Sequence, residues 1–275
     1  MVTLPDRPSG RGHKPRPTPV KEAALQLGIP VHEPKSLRDF ARQHANDNYD
    51  LFVLASYGRI LPQDLLDLPK LGALNVHPSL LPKYRGATPI QTALRNGDGE
   101  TGVTIMLMDA GMDTGDIVLQ ERMPVAADER YGELHDRLAR FGAQVLSHAI
   151  DLARSGYITR TPQHGESSTT SPLKKEDLAI DWRAPASKIV NAVRAFAPSP
   201  AARAEIAGVP VKLLRARIGA PTIAAVQPGQ IIGTAGDAVS VRSGDGIVDV
   251  VELVAPNRGQ QSGAAFAQSL SAKPR

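Results

Sequence analysis

The stretch Ala73-Leu-Asn75-Val-His77-Pro-Ser79-Leu-Leu-Pro82 determines the fold class of this 275-residue chain. It opens with a short apolar run that stops at a proline, and a similar run, Leu51-Phe-Val-Leu-Ala55, precedes it. Short apolar runs bounded by glycine and proline are typical of buried parallel strands. Because helical patterns alternate with strand patterns around these runs, we predict a doubly wound, Rossmann-like α/β domain.

Outward from this stretch, the predicted helices cover residues 19–27, 37–46, a short segment near Asp64, 89–96 and 130–154, and further strands cover residues 103–108 and 117–120. The string Gly97-Asp-Gly99-Glu-Thr-Gly102 satisfies a G-x-G-x-x-G pattern. It follows a helix and precedes a strand, which is the reverse of the order in dinucleotide-binding sites. We therefore interpret it as a turn.

The second part of the chain has a different pattern. A polar, turn-rich stretch without periodicity separates it from the first and is interpreted as a linker. A helix at 186–196 then precedes short β-like runs at 204–206, 209–214, 230–232, 238–241 and 247–253. This pattern is typical of a small antiparallel barrel. The predicted organisation is a catalytic domain at 1–160, a linker at 161–177 and a C-terminal β domain at 178–275.

Three side chains are candidates for catalysis. Asn75 and His77 are two residues apart on one strand, so they share a face, and they lie at its carboxyl end, where ligand sites of open α/β sheets occur. Asp113 follows in Gly111-Met-Asp113-Thr-Gly115-Asp116. An amide and a protonated imidazole can stabilise an oxyanion while a carboxylate accepts a proton. The set is therefore suited to moving an acyl group between nitrogens without a covalent intermediate.

Two other kinds of site are disfavoured. Asp113-Thr-Gly115 is the tripeptide of aspartic proteases, but those enzymes need two such carboxylates sharing a proton, and the chain has one copy. The seven histidines show no i, i+4 pair with a glutamate between, and there is no cysteine to complete a zinc shell. We therefore predict no metal. Taken alone, His77 is also compatible with a structural histidine.

The string from Asn75 to Pro82, with Lys83-Tyr-Arg-Gly86, resembles the folate-dependent formyltransferases. The resemblance continues through Pro89-Ile-Gln91, Thr101-Gly-Val-Thr-Ile105 and the segment around Asp113. It implies transfer of the formyl group of 10-formyltetrahydrofolate to an amine, with Asn75, His77 and Asp113 as the catalytic residues.

The opening segment Pro5-Asp-Arg-Pro-Ser-Gly-Arg-Gly12 is similar to the branch of that family that acts on methionyl initiator tRNA in translation initiation. The resemblance implies the methionine α-amine as acceptor and an OB-like C-terminal domain that lies along the tRNA. Arg11 matches the arginine by which that branch contacts tRNA, and Arg7 and Lys14 are the neighbouring basic residues.

The charge distribution fits a nucleic-acid partner. Residues 178–275 carry 11 Lys and Arg against 6 Asp and Glu, whereas residues 1–177 carry 21 against 22. The formal excess of +4 therefore lies in the second part, with a local basic cluster at the start of the chain. Basic segments of this kind contact phosphates and position a nucleic acid without reading its bases. An ordinary solvated basic surface or a disordered tail is the alternative on charge alone.

The resemblance also implies two segments that contact the folate. Their apolar side chains would form pocket walls, and exposed loop amides would pair with the pterin edge. The residues are Arg59, Ile60, Leu61, Ser79, Leu80, Leu81 and Pro82. Simple packing of these loops is the alternative interpretation.

The remaining expectations concern the class of protein and its start. No apolar run reaches the ~18 residues of a membrane helix, and the first residues are not a secretory signal. We expect a cytoplasmic protein acting as a monomer.

Members of the family begin with a strand, a helix and a second strand, and here Met1 falls near the end of that second strand. We therefore expect an added upstream segment of roughly thirty residues, the size of a βαβ unit, to raise solubility, melting temperature and activity.

Two functional alternatives stay open at this point. One is a formyltransferase acting on an amino sugar nucleotide or on glycinamide ribonucleotide. These enzymes share the amide, imidazole and carboxylate but do not explain the segment from Pro5 to Gly12. The other is an inactive tRNA- or folate-binding remnant.

Overall fold

The structure is a computed structural model that describes residues 1–9, 14–221 and 226–271. Its strands are β1 (Arg7–Ser9), β2 (Lys14–Arg16), β3 (Phe52–Leu54), β4 (Ala73–His77), β5 (Arg85–Gly86), β6 (Glu100–Leu107), β7 (Ile117–Pro124), β8 (Thr169–Thr170), β9 (Ala202–Ile206), β10 (Val209–Ile218), β11 (Ile231–Ala235), β12 (Ala238–Arg242), β13 (Ile247–Val254) and β14 (Gln260–Ser262). Its helices are α1 (Pro19–Gln26), α2 (Leu37–Gln43), α3 (Gln63–Leu66), α4 (Pro89–Asn96), α5 (Tyr131–Arg154), α6 (Ala186–Phe196) and α7 (Gly263–Ser271), with a 3-10 helix at Glu176–Leu178.

Contacts between Cα atoms divide the chain into two compact units, each made of several segments. The first comprises Met1–His77, Thr104–Leu119 and Leu146–Gln163, and the second comprises Pro78–Val103, Gln120–Val145 and His164–Arg275. The three candidate catalytic residues all belong to the first unit. The domain boundaries expected from the sequence stay a prediction.

A four-stranded sheet in the order β3-β4-β6-β7 carries the candidate catalytic strand. Strands β3 and β4 are parallel, as predicted, whereas β4 and β6 are antiparallel. Leu74 on β4 and Ile105 on β6 are completely buried, which explains the continuous apolar runs. The α/β architecture is confirmed. The expectation that β3 is buried is wrong, because Val53 is 44% exposed and, among the described residues, β3 pairs with a strand on one side only.

Helix α4 begins and ends at the residues predicted from the sequence. Pro89 occupies its first turn, where a missing N–H is harmless, and Gly97 follows its last residue with φ +79°. A left-handed residue at this place favours glycine because a side chain would be strained. The G-x-G-x-x-G string therefore starts as a helix C-cap and ends inside β6, which confirms that its first residues form a turn.

The C-terminal strands form an antiparallel sheet in the order β11-β12-β13-β10-β9, and β14 pairs with β13. Each run predicted there overlaps one of its strands. Strand β10 pairs with β9 through Val209–Leu213 and with β13 through Lys212–Ile218, with register shifts around Arg215. Such irregularities bend a strand and increase its twist. The predicted antiparallel β architecture of the C-terminal part is confirmed.

The predicted linker contains regular structure that its sequence does not reveal. Strand β8 pairs in parallel with β5, so that Arg85 lies opposite Thr169 and Gly86 opposite Thr170. A Cβ atom at Gly86 would lie 2.3 Å from the Thr170 carbonyl oxygen, and its φ is +103°. The position therefore requires glycine. Helix α7 and strands β5 and β14 were also not predicted.

Replacing Thr170 by valine is expected to lower the free energy of unfolding by about 1–3 kcal/mol. The Thr170 hydroxyl accepts a hydrogen bond from the Thr88 N–H at 3.0 Å and donates one to the Arg85 carbonyl at 3.1 Å. Valine keeps the shape and removes both. Urea unfolding measures the change, and Thr169→Val at the exposed neighbour is the control. Equal midpoints for the two variants would contradict this account of the β5–β8 pairing.

Candidate active site

Strand β4 places Asn75 and His77 at its carboxyl end, inside the sheet. Asn75 lies opposite Leu54 of β3 and Met106 of β6, and His77 lies opposite Thr104 of β6. The two side chains are on one face of the strand because successive side chains alternate. His77 is only 4% exposed, while Asn75 is partly buried. The structure therefore confirms the predicted strand, while the catalytic roles of Asn75 and His77 stay a prediction.

Asp113 lies next to His77. The distance between His77 Nδ1 and Asp113 Oδ2 is 3.6 Å, and the side chains are 5% and 17% exposed. At this distance the carboxylate can pair with the imidazole when the imidazole is protonated. The sequence predicts that these residues act in one reaction but does not give the distance between them. In the structure they lie side by side.

The loop that carries Asp113 has a constrained backbone. Asp113 has φ +54°, a left-handed conformation that is uncommon outside glycine but enriched in aspartate. The Asp109 carboxylate accepts hydrogen bonds from the Gly111 N–H at 3.0 Å and the Thr114 hydroxyl at 2.7 Å. A Cβ atom at Gly115 would lie 1.7 Å from the Leu107 carbonyl oxygen. Glycine at 115 is therefore required by close backbone approach.

Neither Asp109 nor Gln163 was predicted to have a function. Asp109 is followed two residues later by Gly111, and an aspartate that hydrogen-bonds the backbone two residues on is a recognisable turn signal. Gln163 lies in the predicted linker, where no local pattern marks it. Its side chain nevertheless contacts the backbone of the Asp113 loop.

The first predicted folate segment is largely inside the protein. Ser79 is completely buried, and its hydroxyl donates a hydrogen bond to the Lys83 carbonyl at 2.6 Å. Leu81 is 3% exposed, and its carbonyl accepts from the Gln120 side chain at 3.0 Å. Leu80 and Pro82 are partly buried, and the Leu81–Pro82 peptide bond is cis. Burial and these hydrogen bonds therefore hold the segment in place.

The second predicted folate segment is more open. Ile60 is 94% exposed, and Arg59 is exposed with its guanidinium donating to the Pro34 carbonyl at 3.3 Å. Leu61, by contrast, packs against a buried cluster that includes Leu37 and Phe40. Arg59 and Ile60 are therefore accessible to a ligand, while Leu61 supports the loop from within.

The residues expected to contact tRNA are only partly within the described chain. Arg11 lies outside the described residues. Arg7 and Lys14 belong to the antiparallel pair β1 and β2, in which Arg7 lies opposite Arg16, and Arg16 is exposed. The segment expected to be a loop thus contains two short strands.

Lys21, at the end of the basic opening segment, is neutralised by ion pairs. Its ammonium lies 2.8 Å from Asp6 and 2.8 Å from Glu33. Hydrogen bonds with Asp6 and Glu33 raise the pKa of Lys21 above its ordinary value. Lys21 therefore contributes less to a phosphate-binding surface than its sequence position suggests.

Two further features are absent among residues 1–9, 14–221 and 226–271. No cluster of three or more His, Cys, Asp or Glu side chains there is arranged to hold a metal ion. Within the same ranges, no helix has both the length and the apolar character needed to cross a membrane.

Two protein-family models match the chain. The model Formyl transferase matches residues 1–150, and the model Formyl transferase, C-terminal domain, matches residues 172–271. The chain is 44% identical over 255 residues to the methionyl-tRNA formyltransferase of Pelotomaculum thermopropionicum, a match covering 92% of this chain and 82% of that protein. It is 46% identical over 256 residues to that of Roseiflexus sp. (strain RS-1), covering 92% and 78%.

Solved structures of low sequence identity have a similar fold. HypX from Aquifex aeolicus in complex with tetrahydrofolic acid has a TM-score of 0.67 at 18% identity, covering 92% of this chain and 45% of that chain. An N-formyltransferase from Helicobacter canadensis, in complex with folinic acid and dTDP-3-aminofucose, has a TM-score of 0.65 at 20% identity, covering 94% and 86%.

Proposed function

The chain belongs to the formyl transferase family and catalyses formyl transfer to methionyl-tRNA, and we propose that its donor is 10-formyltetrahydrofolate and its acceptor is the charged initiator tRNA. The observation that carries the proposal is the pairing of His77 with Asp113 at 3.6 Å, with Asn75 two residues away on the same strand face. Because charged initiator tRNA is used in the cytoplasm, we place the reaction there.

The proposed reaction forms one C–N bond and breaks another. The nitrogen of the methionine α-amine attacks the formyl carbon, and the formyl oxygen becomes an oxyanion in a tetrahedral adduct. The bond from this carbon to N10 of the folate then breaks. The proton lost by the amine balances the proton gained by N10, so the products are formylmethionyl-tRNA and tetrahydrofolate.

Asn75 and His77 stabilise the oxyanion in this proposal. The Asn75 amide donates one hydrogen bond, and the imidazolium of His77 donates a charge-assisted one, which is roughly twice as strong as a neutral hydrogen bond. Burial of His77 strengthens the interaction because the local dielectric is lower than in water. Both groups come from one strand of a packed sheet, so they are positioned before the substrate binds.

Asp113 has two functions in the proposed reaction. Its carboxylate keeps His77 protonated and accepts the proton of the attacking amine. A carboxylate that is 17% exposed is accessible enough to meet a substrate while remaining beside the imidazole. The reaction then needs neither a nucleophilic side chain nor a covalent intermediate.

For the folate donor we propose contacts with the two segments that the resemblance implies. Ser79–Pro82 begins two residues after His77 in the chain. Arg59 and Ile60 are exposed, and an exposed isoleucine supplies apolar surface to a pterin. Leu61 supports that loop through the buried cluster.

For the tRNA we propose that residues 178–275, with their balance of 11 basic to 6 acidic side chains, form a binding domain, and that the opening basic segment also contacts the tRNA. A balance of this sign favours contact with phosphates.

Arg11→Ala, or Arg7→Ala combined with Lys14→Ala, is expected to weaken use of charged tRNA. The dependence of log K on log salt should flatten by about one unit for each phosphate that the variant no longer neutralises, and folate binding should be unchanged. Arg42→Ala removes an exposed arginine elsewhere and is the control. If the opening-segment variants lose folate affinity instead, or wild-type binding to tRNA is independent of salt, an amino sugar nucleotide becomes the better acceptor.

The donor is tested by stoichiometry. Purified protein with 10-formyltetrahydrofolate and charged initiator tRNA should release one tetrahydrofolate for each formylmethionine formed. The 5-formyl isomer, whose formyl group is on N5 instead of N10, is the control and should give no product. Tetrahydrofolate release without formylmethionine, or equal transfer from the 5-formyl isomer, would contradict the proposed donor.

A further inference from the structure

Gln163 makes two hydrogen bonds to the backbone of the loop that carries Asp113. Its Nε2 donates to the Asp113 carbonyl at 2.9 Å and to the Gly115 carbonyl at 2.8 Å. A primary amide has two N–H groups, so one nitrogen serves both carbonyls. The side chain is partly buried, and water competes less with such bonds than at an exposed site.

Two other contacts fix the parts of the loop on either side of Asp113. Asp109 fixes the loop from within, and Gly115 lies against the Leu107 carbonyl. Between them, Asp113 has φ +54°. Non-glycine residues in this region cost about 1–2 kcal/mol, and such conformations persist where surrounding contacts enforce them. The bond to the Asp113 carbonyl is one of these contacts.

Backbone hydrogen bonds also anchor the segment that carries Gln163. Two residues earlier, Thr161 makes a pair of backbone hydrogen bonds with Ile117, at 2.8 and 3.0 Å. These bonds already hold the chain beside the sheet. The side-chain bonds of Gln163 therefore act on the loop that receives them more than on the segment that makes them.

We propose that Gln163 is a positioning residue that sets the place of the Asp113 carboxylate relative to His77. It acts through the backbone of Asp113 and has no contact with the reacting atoms in this proposal. A neutral amide suits this purpose because it orients the loop without adding charge beside the carboxylate. The kinetic part of the inference rests on the proposed function.

The consequence for catalysis follows from the sensitivity of reactions to geometry. A displacement of about 1 Å in a catalytic group can cost up to about 10²-fold in rate. The His77–Asp113 distance of 3.6 Å leaves little room for lengthening before the pair loses its direct interaction. Loss of the Gln163 bonds should therefore reduce turnover more than substrate binding.

Gln163→Met keeps the side-chain length and removes both donors, while Gln163→Glu keeps the shape and replaces the donors with acceptors. Each variant is expected to lower kcat by about tenfold or more, with KM for both substrates within about twofold and Tm nearly unchanged. Gln63→Met is the matched control, because Gln63 also donates from Nε2, at 2.7 Å to Asp67, but does so at the exposed surface. It should retain wild-type kcat.

A second measurement needs no substrate. In the NMR spectrum of protein with isotope-labelled histidine, at one pH, the ring signals of His77 should shift in Gln163→Met, while those of exposed His135 and His148 stay in place. The proposal would be overturned by wild-type kcat in the Gln163 variants, by an unshifted His77 signal in Gln163→Met, or by unfolding of both variants. If the His77 signals shift in Gln163→Met but the wild-type protein formylates no tRNA, the positioning claim stands and the proposed function is rejected.

Discussion

Asp113→Asn is expected to lower kcat by at least about 10²-fold, since positioned proton-transfer groups contribute 10²- to 10⁴-fold. Asparagine has nearly the same shape, so the loop and the bonds to its carbonyls remain. It neither accepts the amine proton nor supplies the negative charge that favours protonated His77. Steady-state formyl transfer at saturating folate measures the change, and thermal unfolding verifies that the fold is retained.

The chain contains a matched control for this variant. Asp136 also lies beside a histidine, with Oδ1 3.1 Å from His135 Nδ1, but both side chains are at least half exposed. Asp136→Asn makes the same chemical change to an Asp–His pair at the surface and should keep wild-type turnover. If the Asp113 and Asp136 variants are equally active, Asp113 is not the base.

His77→Ala and Asn75→Ala are each expected to lower the rate by about 10²-fold or more, the usual effect of removing an oxyanion donor. Folding should change little. His148→Ala, at an exposed position on α5, is the control. Because His77 and Asp113 act as a unit, the double variant His77→Ala with Asp113→Asn should lose much less activity than the product of the single effects. Fully multiplicative losses would contradict the shared function of the pair.

Elements that carry their own local signals were predicted most accurately. Helices α4 and α6 and strand β4 have the predicted bounds. For α4, Pro89 and Gly97 mark the two ends through backbone geometry that does not depend on the rest of the fold. The run Ala73–His77 is apolar and is bounded by Gly72 and Pro78, so it is marked in the same way.

Elements defined by distant partners were missed. Strands β5 and β8 have two residues each and exist only because residues 85–86 meet residues 169–170. Helix α7 consists mainly of small residues and has no charge pattern. Its one local start signal is Ser262, whose hydroxyl accepts a hydrogen bond from the Ala265 N–H at 3.2 Å. Pairing and packing, rather than local propensity, fix these segments.

The candidate site also combines features that the sequence predicts with features that only the structure shows. The two-residue spacing of Asn75 and His77 places them on one face of a strand, which the sequence alone establishes. The distance from His77 to Asp113 depends on how the loop between β6 and β7 folds, and that depends on Asp109, Gly115 and Gln163. The charge of Lys21 was visible in the sequence, but its ion pairs with Asp6 and Glu33 were not.

The central claim is tested most directly by transfer of a radiolabelled formyl group from 10-formyltetrahydrofolate to charged tRNA. The assay compares initiator methionyl-tRNA with elongator methionyl-tRNA, using the wild-type protein and Asp113→Asn at equal concentration. We expect label in formylmethionine from the initiator tRNA, much less from the elongator tRNA, and a loss of at least about 10²-fold with Asp113→Asn. No label in either tRNA, or equal labelling by the wild type and Asp113→Asn, would contradict the account.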